Sequence, residues 1–346
     1  MDELKKIDTD EIKKVSPILQ LFFIFLSSFI IYLLILNRLN NFRAHDLAPN
    51  ITLITPKKYN DLGGFSSVIK TGLFIDQFEE FDMINNSFVF TGIIWFEFNP
   101  GTISLSTLEK FSFERSRILD RSPPEVKVVD SKLLVSYNIR VKFSTSLNNK
   151  EFPVEDHTVY ITLVHKYVQP KEILFDSQEQ DFVIKSDVSD AGWKIVNKKV
   201  VTGYKEDQIN EFDKEKTLIY PTTIFSMDYS RVAIRFVMSI LLPLLMIFYL
   251  ILFALSLETK PAMPLTTGGI TATIAYRFVI DKLSPSAGYF MISDLLFFLI
   301  LGMSCLTFFV ILIEAYIVPF TLAQKKIVLF SLHMIINTFC FYLFYV

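Results

Sequence analysis

The sequence is short of the residues that build most enzyme centres and most disulfide frameworks. It has two cysteines and four histidines among 346 residues. Both cysteines, Cys305 and Cys340, lie in apolar stretches and neither in the polar middle. A disulfide framework there is excluded, and the redox compartment stays undetermined. No Gly-x-Ser-x-Gly, His-Glu-x-x-His, phosphate loop or dinucleotide fingerprint occurs, so no enzyme activity and no cofactor is implied. An excess of one charge is lacking too. The formal net charge is −2, without the basic footprint that a nucleic-acid partner requires.

What the chain has is apolar surface, unevenly placed. Hydrophobic residues make up 51% of it, 35 of them Phe, and the mean hydropathy is +0.40, as in membrane proteins. Residues 1–16 are a charged cytoplasmic tail bearing Lys5, Lys6, Lys13 and Lys14. Residues 17–36, Pro17 to Leu36, are apolar over about 20 positions, enough to span the hydrocarbon of a bilayer. No small-x-small cleavage site follows in residues 37–47, so this stretch reads as an uncleaved signal-anchor helix.

After a linker at 37–60, residues 61–229 change character. Apolar and polar residues alternate through Ser87–Phe98, Val126–Val129, Leu133–Phe143, Thr158–Val164, Trp193–Val201 and Thr217–Ile224. Turn residues such as Asn99-Pro100-Gly101, Pro123-Pro124 and Asn148-Asn149 separate them. Many short strands with regular turn signals predict an all-β sandwich. At close to 190 residues, the polar middle can bury its own core.

Residues 230–346 carry four further apolar segments: Arg231–Leu257, the stretch from Pro264 to Ile280, Ile292–Val318 and Ile327–Val346. Short links join them, Glu258-Thr-Lys-Pro-Ala-Met263 among them. With the N-terminal helix this predicts five spans. The tail lysines, Lys260, Lys325 and Lys326 place their segments in the cytoplasm. The β-domain and the C-terminus then lie outside, extracellular or periplasmic, in a multi-pass protein of the cell (inner) membrane. The fold class expected is membrane α+β.

The stretch Pro264–Ile280 stands apart. It is apolar yet studded with Thr266, Thr267, Gly268, Gly269, Thr271 and Thr273. As a helix it aligns Gly268, Thr271, Ala275 and Phe278 on one face. Lipid gives hydroxyls and small residues no reason to line up, whereas a water-filled pore or a tight helix contact does. A charged, Pro-containing turn follows (Asp281, Lys282, Pro285).

Several local patterns resemble the pentameric ligand-gated ion channels, in particular prokaryotic members that lack the loop disulfide. Phe152-Pro153-Val154-Glu155-Asp156-His157 looks like the family's aromatic-Pro-aromatic-Asp-x-Gln loop. Trp95-Phe96-Glu97 resembles its Trp-x-Asp, and Gly192-Trp193 its Trp-bearing strand start. Ser230-Arg231 followed by Pro243 is similar to the entry of the first channel helix. Pro285, Tyr289 and Asp294 match the spacing of its linker. The likeness covers about residues 65–346. The chain departs from it at Glu155 (for Asp), at His157 (for Gln), at Phe98-Asn99-Pro100 where basic residues usually stand, and in the added N-terminal helix.

The resemblance implies a homopentamer in lipid that conducts inorganic ions and answers to a small agonist or to protons. Aligned from Pro285, the family's pore-facing positions fall on Pro264, Gly268, Thr271, Ala275 and Phe278. A one-residue shift exposes Thr267, Ile270, Ile274 and Arg277 instead. Glu258 and Lys260 occupy the cytoplasmic mouth that sets charge selectivity, whose sign stays open. Glu97, Pro153, Glu155, Arg231, Pro285 and Tyr289 take the positions that couple sandwich to pore. His157 is the pH-sensing candidate, since His titrates at accessible pH. A metal site in Glu155-Asp156-His157 is disfavoured, because successive residues of a strand point to opposite faces. The alternative reading is a non-conducting, membrane-anchored β-sandwich that binds or scaffolds.

Overall fold

A computed structural model describes residues 15–53, 67–185, 192–209 and 217–345. The tail lysines Lys5, Lys6, Lys13 and Lys14, and residues 54–66 at the join of linker and sandwich, lie outside them. The chain divides into two compact units. One comprises residues 43–148 and 156–232. The other comprises residues up to 42, residues 149–155 and everything from 233 onward.

The first unit is built from two sheets. β1 (Thr52–Leu53), β11 (Trp193–Gln208), β12 (Thr217–Arg231), β8 (His157–Val164) and β4 (Ser112–Phe113) form one, in that order. The other runs β10 (Phe182–Ile184), β2 (Ser67–Asp82), β3 (Ser87–Phe98), β7 (Lys132–Phe143) and β5 (Ser116–Arg121). To this sheet β6 (Glu125–Val129) adds beside β7 and β9 (Ile173–Asp176) beside β2. The period-two pattern sets the faces. Along β7, Val135, Tyr137, Ile139, Val141 and Phe143 are buried while Asn138, Arg140 and Lys142 are exposed. Those apolar residues meet Val159, Ile161, Leu163, Phe225 and Met227 of the other sheet in a single core. Each fully buried Phe there, such as Phe88, Phe90 or Phe96, contributes about 1.5–3 kcal/mol. This is a β-sandwich-like unit.

The second unit is helical. α1 (Pro17–Asn40) is followed, after the one-turn α2 (Leu105–Leu108) of the sandwich, by α3 (Ile234–Phe253), α4 (Thr259–Leu283), α5 (Ile292–Tyr316) and α6 (Leu322–Tyr345). Among the described residues, four helices are long and apolar enough to cross a membrane by length and composition: α1, α3 with its 3-10 extension to Ser256, α5 and α6. α4, the fifth span expected from the sequence, is less apolar than these four. Its threonines, glycines, prolines and charged ends dilute the apolar content.

α1 is bound into this unit by polar side chains. Tyr249 Oη and Asn337 Nδ2 both donate to Ser27 Oγ, at 3.0 and 2.9 Å. Gln20 donates to the Leu252 carbonyl and accepts from Ser256. His333 of α6 is stacked between Phe23 and Tyr249, at 5.8 and 5.9 Å. In an apolar surrounding such groups must find partners inside the protein; Ser27, Gln20 and Tyr249 find them across α1, α3 and α6, whereas both ring nitrogens of His333 have no hydrogen-bond partner among the described residues. Glu314 of α5 pairs with the buried Lys325 of α6.

Candidate functional site

α4 begins earlier than its apolar character suggests. Residues 259–263, read from sequence as a link, form its first turns. Pro261 is tolerated because first-turn N–H groups have no helical partner. Glu258 holds the N-cap position, and both Glu258 and Lys260 are exposed. The helix ends at Leu283, before Ser284 and the buried Pro285, since a residue preceding proline is pushed out of the helical region.

One face of α4 is buried: Ala262, Thr266, Gly269, Thr273 and Ile280. The opposite face carries Pro264, Thr267, Gly268, Thr271, Ile274, Ala275 and Phe278, all exposed in the single chain. Of the shifted set, Ile270 and Arg277 are half-buried. The two adjacent glycines divide between the faces. A Cβ on Gly269 would meet Ile251 Cγ1 of α3 at 2.3 Å, whereas one on Gly268 would have nothing within 4 Å. Gly269 is therefore a packing glycine and Gly268 is not.

The hydroxyls also divide. Thr266 and Thr273 donate to the carbonyls of Ala262 and Gly269 inside the bundle. Thr267 and Thr271 donate to Met263 and Thr267 on the open face, each at 3.0 Å. Their protons are thus used by the backbone, and what they present outward is oxygen lone pairs, able to accept from water or to contact a cation. At the far end Arg277 pairs with Asp281 at 2.7 Å and with the buried Asp294 of α5 at 2.5 Å. Tyr276 Oη donates to the Ser239 carbonyl of α3 at 2.8 Å.

Residues 149–155 belong to the helical unit. Their carbonyls cap α5: Ile292 N–H donates to Lys150 O (2.9 Å) and Ser293 N–H to Phe152 O (3.1 Å). Helix N-termini leave such donors unsatisfied. Tyr289 Oη accepts from Asn149 N–H at 2.9 Å, and the Phe152 ring meets Phe236 of α3 at 5.9 Å. Glu151 pairs with Arg38, the buried arginine in the last turn of α1. Phe152, cis Pro153 and Glu155 are buried. One short segment thus ties together α1, α3, the α4–α5 linker and α5.

Within the sandwich, Arg231 ends β12 rather than opening a helix. Its guanidinium lies over the Trp193 ring at 4.1 Å, and its N–H donates to Asp156 Oδ1 at 3.1 Å. Asp156 Oδ2 accepts from Arg43 N–H at 2.8 Å. Glu97 is paired with Lys132 at 2.8 Å, and the acid that meets the Arg231 backbone is Asp156. Lys132, held by that carboxylate, has its pKa raised. His157 is buried against Trp193, its Nδ1 3.3 Å from both Asp46 oxygens, and its Nε2 has no hydrogen-bond partner. Asp46 also accepts from Asn148 N–H (2.6 Å) and Thr158 N–H (2.7 Å). It therefore holds the backbone just before and just after residues 149–155.

No family model matches this chain, and no curated protein is similar to it in sequence.

Sequence reasoning brought Pro153, Tyr289 and Arg231 to notice and missed Arg38, Asp46, Glu151 and Asp156. Asp156 lay inside a motif that was read, one position past the acid taken to matter. Asp46 and Arg38 carry no local signal, because their partners stand about a hundred positions away along the chain.

Proposed function

We propose that the chain is the subunit of a homopentameric ion channel, gated by a ligand or by protons, whose pore is lined by the open face of α4. The observation that carries this reading is the two-faced character of that helix. Its inner face packs on α3, while its outer face offers Pro264, Thr267, Gly268, Thr271 and Ala275, a strip unsuited to lipid. A closed ring of copies around a water column gives the strip an aqueous neighbour. Hydroxyl rings there hydrate ions, and the exposed Phe278 and Ile274 supply apolar rings that close the path by dewetting. Glu258 and Lys260 stand at the opposite end of the helix, where fixed charge selects the ion's sign.

Gating follows from chain continuity. Residues 149–155 cap α5 and hold Tyr289, and both their flanks are clamped to Asp46 in the sandwich. A shift of the sandwich on binding a ligand or a proton then pulls on the α4–α5 linker. His157, beside Asp46, is the imidazole through which a proton acts.

The test is single-channel recording in planar bilayers, joined to thiol accessibility. With Cys305 and Cys340 replaced by Ala, single cysteines at Pro264, Gly268, Thr271 and Ala275 should react with aqueous reagents and block current, and those at Thr266, Gly269 and Thr273 should not. Silent bilayers with a monomeric particle would favour the anchored, non-conducting binding protein instead.

A further inference from the structure

We infer that the sandwich holds a binding site for a small organic carboxylate, in the cavity beneath residues Leu47–Asn50, with Arg115 as the anchoring cation. The inference is independent of whether α4 forms a pore. The cavity has a volume of about 310 Å³ and lies between the 47–50 segment, the Glu114-Arg115 turn, Ser144–Ser146, Tyr160 and Thr162 of β8, and Lys205 of β11. That is the lower end of the range for ligand cavities, about 300–1,000 Å³, and suits a molecule of a few carbons.

The charges around it are unequally committed. Lys205 is held by Glu114 at 2.5 Å and Asp207 at 3.5 Å. Arg115 donates one hydrogen bond, from Nη1 to Ser146 Oγ at 2.6 Å, and has no acidic partner among the described residues. With Glu114 negative and Lys205 positive, the lining carries one net positive charge, matching a monoanion. A guanidinium fork takes a carboxylate through two parallel N–H···O bonds. Ser144, Ser146 and Thr162 place hydroxyls around the rest of the space. Burial, and then the Asp46 charge, push the Tyr160 phenol up, so it stays a neutral donor.

The backbone gives the second observation. Glu114 and Arg115 form the two-residue turn between β4 and β5, and Arg115 has φ +47°. Gly, Asn or Asp is the favoured residue in that region, where a bulkier side chain strains the backbone. An arginine kept there costs stability, and such strain gathers at ligand sites.

The test uses the purified full chain in detergent and isothermal titration with acetate, lactate and glutamate, with inorganic phosphate for comparison. Saturable binding of at least one carboxylate is expected, with Kd under about 10 mM. Arg115→Asn, which suits the left-handed turn, should weaken it at least ~10-fold with no fall in melting temperature. Arg115→Lys, keeping the charge without the fork, should fall between. Arg117→Gln, an equal loss of charge on the next exposed arginine, should leave binding unchanged. No saturation by any of the three, tighter binding of phosphate, or equal damage from Arg117→Gln would overturn the assignment.

Discussion

The adjacent glycines of α4 give the sharpest test of how that helix is turned. Replacing Gly by Ala inside a helix gains about 0.8–1 kcal/mol, because the alanine has less backbone freedom to lose. At Gly268 nothing opposes this gain, since the new Cβ has nothing within 4 Å. At Gly269 the methyl lands 2.3 Å from Ile251 Cγ1 and 2.7 Å from Cδ1. Ile251 is wholly buried, and its β-branched side chain is stiff at χ1. Overpacking of that kind costs roughly 1–3 kcal/mol. Gly268→Ala is therefore expected to stabilise the chain by about 1 kcal/mol, and Gly269→Ala to range from neutral to a loss of about 2 kcal/mol. At roughly 2–4 °C per kcal/mol, the two variants should melt several degrees apart. Thermal unfolding in detergent, followed by near-ultraviolet circular dichroism, reads the difference. Equal melting temperatures, or the reverse order, would mean that the face assigned as open is the packed one, and the proposed pore lining would fall with it.

Two further outcomes follow from the same geometry. Burial, ahead of its other influences, depresses the His165 pKa below 6.5. The unfolded chain then binds more protons just below pH 6.5, so the stability held by neutral His165 is complete above pH 6.5 and drains away on acidification towards the folded value. Unfolding measured from pH 7.5 to pH 5 should show this slope, and His165→Gln, which can still donate to the Thr107 carbonyl now held by Nε2, should flatten it. Glu151→Gln removes the carboxylate from Arg38, which is 2 % exposed. Breaking a buried pair by deleting one partner costs about 3–5 kcal/mol, and the half-buried state of Glu151 puts the expected loss nearer 2–3; a melting temperature equal to that of the unsubstituted protein would show that the pair does not hold residues 149–155.

Much of the architecture was legible because the apolar period reports directly on burial. Ser87–Phe98 is found where alternation put it, and α1, α5 and α6 where unbroken apolar runs put them. β2 escaped notice for a physical reason. Bulges between Ile75 and Gln77 and between Phe78 and Glu80 shift its register against β3, so its apolar residues fall out of phase with a period of two. The first turns of α4 were hidden by Pro261 and Pro264, residues that punctuate loops more often than helices. At the candidate site, Pro153, Tyr289 and Arg231 sit in short patterns with recognisable spacing. Asp46, Asp156 and Glu151 act through backbone N–H groups and through an arginine distant in the chain, and no window of sequence contains both members of such a pair.

The seam between α1 and α6 bears on how the protein is made. Ser27 leaves the ribosome early, yet the amide that donates to its hydroxyl, that of Asn337, is encoded 310 residues later. Gln20 gains its partners Leu252 and Ser256 as soon as α3 arrives, and Ser27 gains Tyr249, but the Asn337 amide reaches Ser27 only when α6 has been made. The polar seam that binds α1 is therefore complete only once α6 lies beside it.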